Sequence, residues 1–118
     1  MAKRTFKGGA MLNPVPAVMV SCGNRKPNII TIAWTGIVNS NPPMTYISVR
    51  KERYSHNIIE STGEFVINLC SEELAFATDF CGVRSGRDTD KFKEMKLTPE
   101  RAEAVRCPMI KESPVNIE

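Results

Sequence analysis

The chain has 118 residues, 42% of them hydrophobic and 25% charged, with 16 Lys and Arg against 13 Asp and Glu. One domain fits that length, and the balance excludes a disordered or collagen-like chain. The net charge of +3 is too small to imply a nucleic-acid partner, although Lys3, Arg4, Lys7, Arg25 and Lys26 gather in residues 1–26 without an acid. That basic stretch reads as a solvated end.

The predicted elements begin behind Asn13-Pro14-Val15-Pro16, where the prolines impose an extended entry. Residues 1–12 read as an N-terminal arm and residues 13–118 as the domain. Ala17 to Cys22 is Val-rich and strand-like, residues 23–28 form a turn, and Ile29 to Trp34 is a β-branched strand, so the pair predicts a hairpin. Thr35 to Pro43 reads as a polar, Asn-rich loop, followed by a strand from Met44 to Arg50. Ser55 is predicted to cap a short helix through Glu60 that ends near Gly63. Glu64 to Cys70 is a further strand. Ser71 is predicted to cap a helix from Glu72 to Phe80, with Gly82 as its terminator. Asp90 to Met95 forms one more short helix, and Pro114 to Ile117 starts a late strand. This order predicts a mainly β domain with short helices, rather than a doubly wound sheet.

No charged residue stands between Pro27 and Val49. Three prolines and three asparagines within that run argue against a membrane span. It suits buried strands and a loop facing something other than water. The longest apolar run near the N-terminus, Ala17 to Val20, is too short for a signal peptide. A cytoplasmic location is therefore expected, with Cys22, Cys70, Cys81 and Cys107 as reduced thiols.

The chemistry is narrowed by what the sequence lacks. It contains no G-x-G-x-x-G, no phosphate loop of the G-x-x-x-x-G-K type and no C-x-x-C. One histidine does not make a Cys/His zinc site. Cys22, Cys70 and Cys81 lie in apolar surroundings where thiols are usually inert packing, and His56 reads as a surface residue. Three groups of residues stay open to two readings each. Arg50, Lys51 and Arg53 beside the Ser55 cap are either a phosphate site or an ordinary strand end. Trp34, between Thr31 and Thr35, is either core or a stacking platform. The stretch from Ser85 to Lys91 either closes over a ligand or is a plain surface loop.

Taken in order, several segments resemble the flavin reductase-like family, in its flavoredoxin-type branch. They are Asn13-Pro14-Val15-Pro16, Pro27 to Trp34, Asn41-Pro42-Pro43, Ile47 to Arg50 with Tyr54-Ser55-His56, and Gly63 to Leu69. Cys81-Gly82, Ser85 to Asp88 with Asp90-Lys91-Phe92, and Cys107-Pro108 through Glu118 complete the set. The resemblance implies a Greek-key split β-barrel that binds FMN non-covalently and forms a homodimer with the flavin near the subunit interface. Thr31, Ala33, Trp34 and Thr35 would line the flavin ring. Arg50, Lys51 and Ser55 would hold its phosphate, and Ser85 and Lys91 would come from a covering loop. The implied activity is that of an NAD(P)H-dependent flavin reductase or an electron carrier serving a redox partner protein, with NADH or NADPH as donor and no acid–base catalyst or metal. A binding or structural module that keeps the fold without redox activity is the alternative. Members of the family continue past the strand that starts at Pro114. The barrel is therefore expected to be incomplete in this chain, which would be either a fragment or a form completed by a partner subunit.

Overall fold

A computed structural model describes residues 1–118. Its centre is a four-stranded antiparallel sheet in the order β2-β1-β5-β8, formed by β1 (Val18–Cys22), β2 (Asn28–Ile32), β5 (Val66–Leu69) and β8 (Asn116–Ile117). The hairpin is as predicted, with Val18 opposite Ile32 and Cys22 opposite Asn28. β5 returns on the other side of β1, with Val20 opposite Ile67. All five residues of β1 are buried, because both faces of the sheet are covered. Alternation along the strands sorts the side chains onto those two faces. Met19 and Ile29 pack with Leu74, Cys81, Phe92, Leu97 and Ile110 on one side. Val18, Val20, Ile30, Ile32 and Ile67 pack on the other, against Ile47, Val49, Ile59 and Phe65.

The segment read as a polar loop is instead a strand. β3 (Thr35–Ser40) pairs with β4 (Pro43–Ile47) in a two-stranded ribbon, with Thr35 opposite Ile47 and an irregularity between Ile37 and Asn39. Its Asn and Ser content hid Ile37 and Val38, which are 81% and 60% exposed. A strand whose last four residues are all exposed gives no hydrophobic alternation to read. Two short strands were also unforeseen, β6 (Pro99–Glu100) and β7 (Met109–Ile110), which pair with each other.

Three helices follow the predicted regions with shifted ends. α1 (Tyr54–Thr62) closes on Gly63, whose φ of 70° is left-handed, as glycine permits, and whose N–H donates to the Ile59 carbonyl. Its N-cap is Arg53 rather than Ser55. Ser55 lies inside the first turn, fully buried, where it accepts a hydrogen bond from the Asn28 amide at 2.8 Å. A tertiary partner replaces the local cap. After Ser71 a single 3-10 turn, Glu72–Leu74, precedes α2 (Ala75–Val83), so Ser71 makes no capping bond and the helix runs past Gly82. α3 (Lys91–Glu94) is capped by Asp90, whose carboxylate accepts from the Lys93 N–H at 3.2 Å. No helix is long and apolar enough to cross a membrane.

Asn68 locks the sheet to the late strands. This fully buried side chain donates to the Met19 carbonyl and the Ser21 hydroxyl, and accepts from the Ile110 N–H and the Asn116 amide at 3.0 and 2.7 Å. Every polar group it brings inside is satisfied, which is what burial of an amide requires.

Candidate functional site

Two adjoining clefts open beside β2. The first, of about 400 Å³, is polar and lies between the segment joining β4 to α1 and the segment joining α2 to α3. The second, of about 220 Å³, is lined by Thr31, Ile32, Ala33, Trp34 and Ser48. Ile30, Arg50 and Arg53 border both, so the two form one bipartite depression.

The floor of the polar cleft is buried and the rim is charged. Asn28, Ser55, Gly86 and Lys91 form the floor. Gly86 has to be glycine, because a Cβ there would overlap the Asn28 amide and the Tyr54 ring. The exposed rim carries Arg50, Arg53, Arg84 and Arg87 against a single acid, Glu52. Glu52 sits 2.6 Å from Arg50, whereas Arg53 has no carboxylate within 4.0 Å. A backbone turn, from the Arg53 N–H to the Arg50 carbonyl at 3.0 Å, brings these two arginines together just ahead of α1. The unpaired N–H groups and positive dipole end of that helix would favour an anion there as well.

Lys91 does not belong to a covering loop. It starts α3, is only 3% exposed, and its amine donates to the Ile29 carbonyl at 2.6 Å and the Cys81 carbonyl at 2.9 Å. Burial lowers its pKa, the nearby Cys81 thiol opposes that shift, and the Arg53 charge lowers it further. An ammonium has three donors, so two carbonyls leave one N–H unassigned in a residue that borders the cleft. An anion there would relieve both the desolvation and the repulsion.

The other expected residues divide. Ala33 and Trp34 line the second cleft, and Trp34 is half exposed rather than core. Thr31 lines it too, but its hydroxyl is committed to the Thr78 carbonyl of α2 at 2.5 Å. Thr35 faces a neighbouring depression with Tyr46 and residues of the N-terminal segment, and its hydroxyl donates to the Tyr46 carbonyl. Ser55 and Ser85 both border the polar cleft. The Ser85 hydroxyl also accepts from the Arg87 N–H and shapes the turn. Lys51 is exposed and borders neither compartment; Arg53, two residues on, lies where the lysine was expected. Asn28, Arg84 and Arg87 were not singled out from the sequence. The only local signal for the arginines is their position on either side of Ser85-Gly86.

His56 is half buried rather than on the surface. Its Nδ1 is enclosed and stands 3.9 Å from the Glu60 carboxylate, outside the polar cleft. Burial pushes the Cys81 and Cys107 thiols up to about 11 and raises that of Cys22, so these thiols are poor nucleophiles.

The fold and the site together define an antiparallel split-barrel protein with a cation-rimmed cleft opening onto a smaller compartment beside Trp34. The chain belongs to the flavin reductase like domain family, whose model matches residues 10–118. It is 33% identical to the flavoredoxin of Desulfovibrio vulgaris (Miyazaki F), with a TM-score of 0.90 over 98% of this chain and 64% of that one. The flavoredoxin from Methanosarcina acetivorans is 28% identical, with a TM-score of 0.87 over 98% and 62%. A Shewanella frigidimarina protein with a split barrel domain, 23% identical, superposes with a TM-score of 0.77 over 86% and 52% and supports the fold alone. A protein of Archaeoglobus fulgidus is 30% identical over 107 residues, 91% of this chain and 60% of that protein. The chain thus spans about three-fifths of the length of these relatives.

Proposed function

We propose that the bipartite cleft binds FMN non-covalently, and that the protein carries electrons from NADH, NADPH or a redox partner protein to an acceptor. The observation that carries this reading is the junction at Ile30, Arg50 and Arg53. There a polar, cation-rich cleft meets a smaller, more apolar compartment walled by Ala33 and Trp34, which suits a phosphorylated polyol joined to a planar ring. The combined space falls within the range of ligand pockets, roughly 300 to 1,000 Å³. Arg53, Arg50, the first turn of α1 and the Ser55 hydroxyl would hold the phosphate, with the third N–H of Lys91 beneath it. Ala33 and Trp34 would cover part of the ring and keep water from it. Bound FMN supplies the hydride and electron chemistry; the protein's part is to orient the ring and shield it, which needs no titrating side chain.

The visible spectrum of the protein with added FMN tests binding. Retention of the flavin band through gel filtration is expected, and a colourless protein would instead favour a module without redox activity. Anaerobic mixing with NADH and with NADPH then separates the two activities. Bleaching by either nucleotide supports a reductase, and bleaching only by a reduced partner protein supports an electron carrier.

We further propose a homodimer that covers the β3–β4 ribbon. Ile37, Val38, Met44 and Tyr46 are all about half exposed or more on that ribbon, an apolar concentration that a lone surface seldom keeps. The four free thiols suit a reducing, cytoplasmic location.

A further inference from the structure

Away from the cleft, a groove of about 590 Å³ runs between the start of α2 and the chain that follows α3. It is larger than either compartment of the cleft. Leu74, Ala77, Met95 and Leu97 make it apolar, and Phe76 stands at its rim, 75% exposed. An apolar groove with an aromatic ring left in water beside it marks a contact surface.

The groove is also acidic. Glu73 and Glu112 line it, with Lys96 as the single base. Glu72 and Asp79 are exposed close by. Glu73 and Asp79 stand three residues to either side of Phe76, a spacing that makes neighbours on a helical surface. None of these four carboxylates has a Lys, Arg or His within 4.0 Å. Glu112 accepts from the Thr98 N–H and hydroxyl, which fixes it in place. Unpaired acids around an apolar groove fit a partner that is both basic and aromatic.

This chain carries such a segment. Lys3, Arg4 and Lys7 surround Phe6, with no acid among residues 1–26. Every residue from Met1 to Leu12 is exposed, and none of the three cations has a carboxylate within 4.0 Å. The arm leaves the body beside the ribbon, where Gly9 to Leu12 line a depression with Trp34, Thr35 and Tyr46. That is the face proposed above as the dimer contact, so the arm departs where a partner subunit would stand. Residues 1–8, fully extended, span up to about 28 Å, close to the thinnest extent of the molecule, 29 Å. They are long enough to cross a face of a second copy.

We propose that in the homodimer the N-terminal arm of each subunit docks on the α2 groove of the other, with Phe6 beside Phe76 and the three cations on Glu73, Asp79 and Glu112. The inference rests on the homodimer reading above. Such an exchange is reciprocal, as a two-fold dimer requires. Burial of Phe6 supplies affinity, and the rim charges set orientation and salt dependence.

Sedimentation equilibrium of charge-reversed chains tests it. Lys3→Glu, Arg4→Glu and Lys7→Glu together should weaken the dimer about tenfold at low salt, and far less at about 1 M salt, where the Debye length is about 3 Å. Glu73→Lys with Asp79→Lys should do the same. Combining both sets should restore the dimer to within about threefold of the native chain, because the pairs re-form with opposite signs. A labelled peptide of residues 1–12, titrated onto the arm-reversed chain, reads the groove without competition from the chain's own arm. Phe76→Ser should weaken that peptide about tenfold. With Phe6 replaced by photoreactive p-benzoylphenylalanine in a mixture of isotopically light and heavy chains, cross-links should join the arm of one chain to residues 73–77 or 95–97 of another. The proposal is overturned if the combined reversal is no better than either set alone, if Phe76→Ser leaves the peptide unaffected, or if cross-links form only within single chains. A native chain that is monomeric at every concentration overturns the homodimer reading, whereas a dimer indifferent to the arm overturns the exchange alone.

Discussion

The central sheet and the β3–β4 ribbon lie side by side and obey different physics. In the sheet, every residue of β1 is buried and Asn68 is held at both ends of its amide. In the ribbon, the last four residues of β3 and the first four of β4 are exposed. The sheet is held by burial on two faces, with a satisfied polar lock joining β5 to β7 and β8. The ribbon has its ladder and Ile47 against the core, while Ile37, Val38, Met44 and Tyr46 stay exposed. The cleft lies where the two meet, because the chain leaves β4 directly into Arg50, Arg53 and α1. A cleft at such a border has a buried floor in Asn28, Ser55 and Lys91 and an exposed, charged rim in the arginines.

The largest expected effect tests the sheet side of this comparison. Asn68→Leu should lower the unfolding free energy by about 3–5 kcal/mol, because it strands the buried Ile110 N–H and leaves the Asn116 amide only the Ile110 carbonyl at 3.2 Å. Ile37→Ser on the ribbon should change it by no more than about 0.5 kcal/mol in the dissociated chain. Urea unfolding of both variants measures the contrast, and equal losses would break it. Next in size, Gly86→Val should cost about 1–3 kcal/mol by driving the Asn28 and Tyr54 side chains apart, with FMN retention lost alongside. Differential scanning of the flavin-free protein separates the fold penalty from the ligand effect. Arg53→Ala reaches the cleft without the core. It should weaken FMN by about 1.5–3 kcal/mol and make the remaining binding less sensitive to salt, with the melting temperature of the flavin-free protein unmoved.

The smallest effect is alkaline. Cys81 and Cys107 keep their protons up to about 11 in the folded state because burial disfavours the thiolates. The unfolded thiols ionise near pH 9, so between 9 and 11 the unfolded chain binds fewer protons and stability falls as pH rises. Lys91 acts in the opposite sense: its folded pKa lies below the ordinary 10.5, so its contribution improves as pH rises through that window. Burial raises Cys22 in the same sense, so three thiols against one amine predict a net decline, and Lys91→Met should steepen it. Unfolding curves collected between pH 8.5 and 11 measure the slope.

Local chemistry made much of the fold legible. The β1–β2 hairpin followed from a Val-rich and a β-branched run around a Gly/Asn/Pro turn, and the Gly63 stop from left-handed backbone freedom; a short helix was expected from Asp90 to Met95, where Asp90 proves to be the cap of α3. The ribbon was not legible, since strands with no buried face lack alternation and Thr35 to Ser40 has the composition of a loop. Of the residues expected around a flavin, Thr31, Ala33, Trp34, Arg50, Ser55, Ser85 and Lys91 line the two clefts. Lys51 was chosen over Arg53 because sequence spacing does not say which side of a turn faces the cleft.

The sequence by itself determined the period-2 strands, the turn and stop residues, the supply of cations near residues 50–53, and the family. Only the tertiary structure decided what those residues do. Pairing of β5 with β1 joins residues some fifty positions apart, and no local propensity encodes that distance. Burial turned Lys91 from a loop charge into a floor cation held by two carbonyls, and it turned Ser55 from a helix cap into the partner of Asn28. The meeting of Arg84 and Arg87 with Arg53 around one cleft has the same origin: it follows from how α1, α2 and α3 pack around the sheet, which is a property of the packed whole.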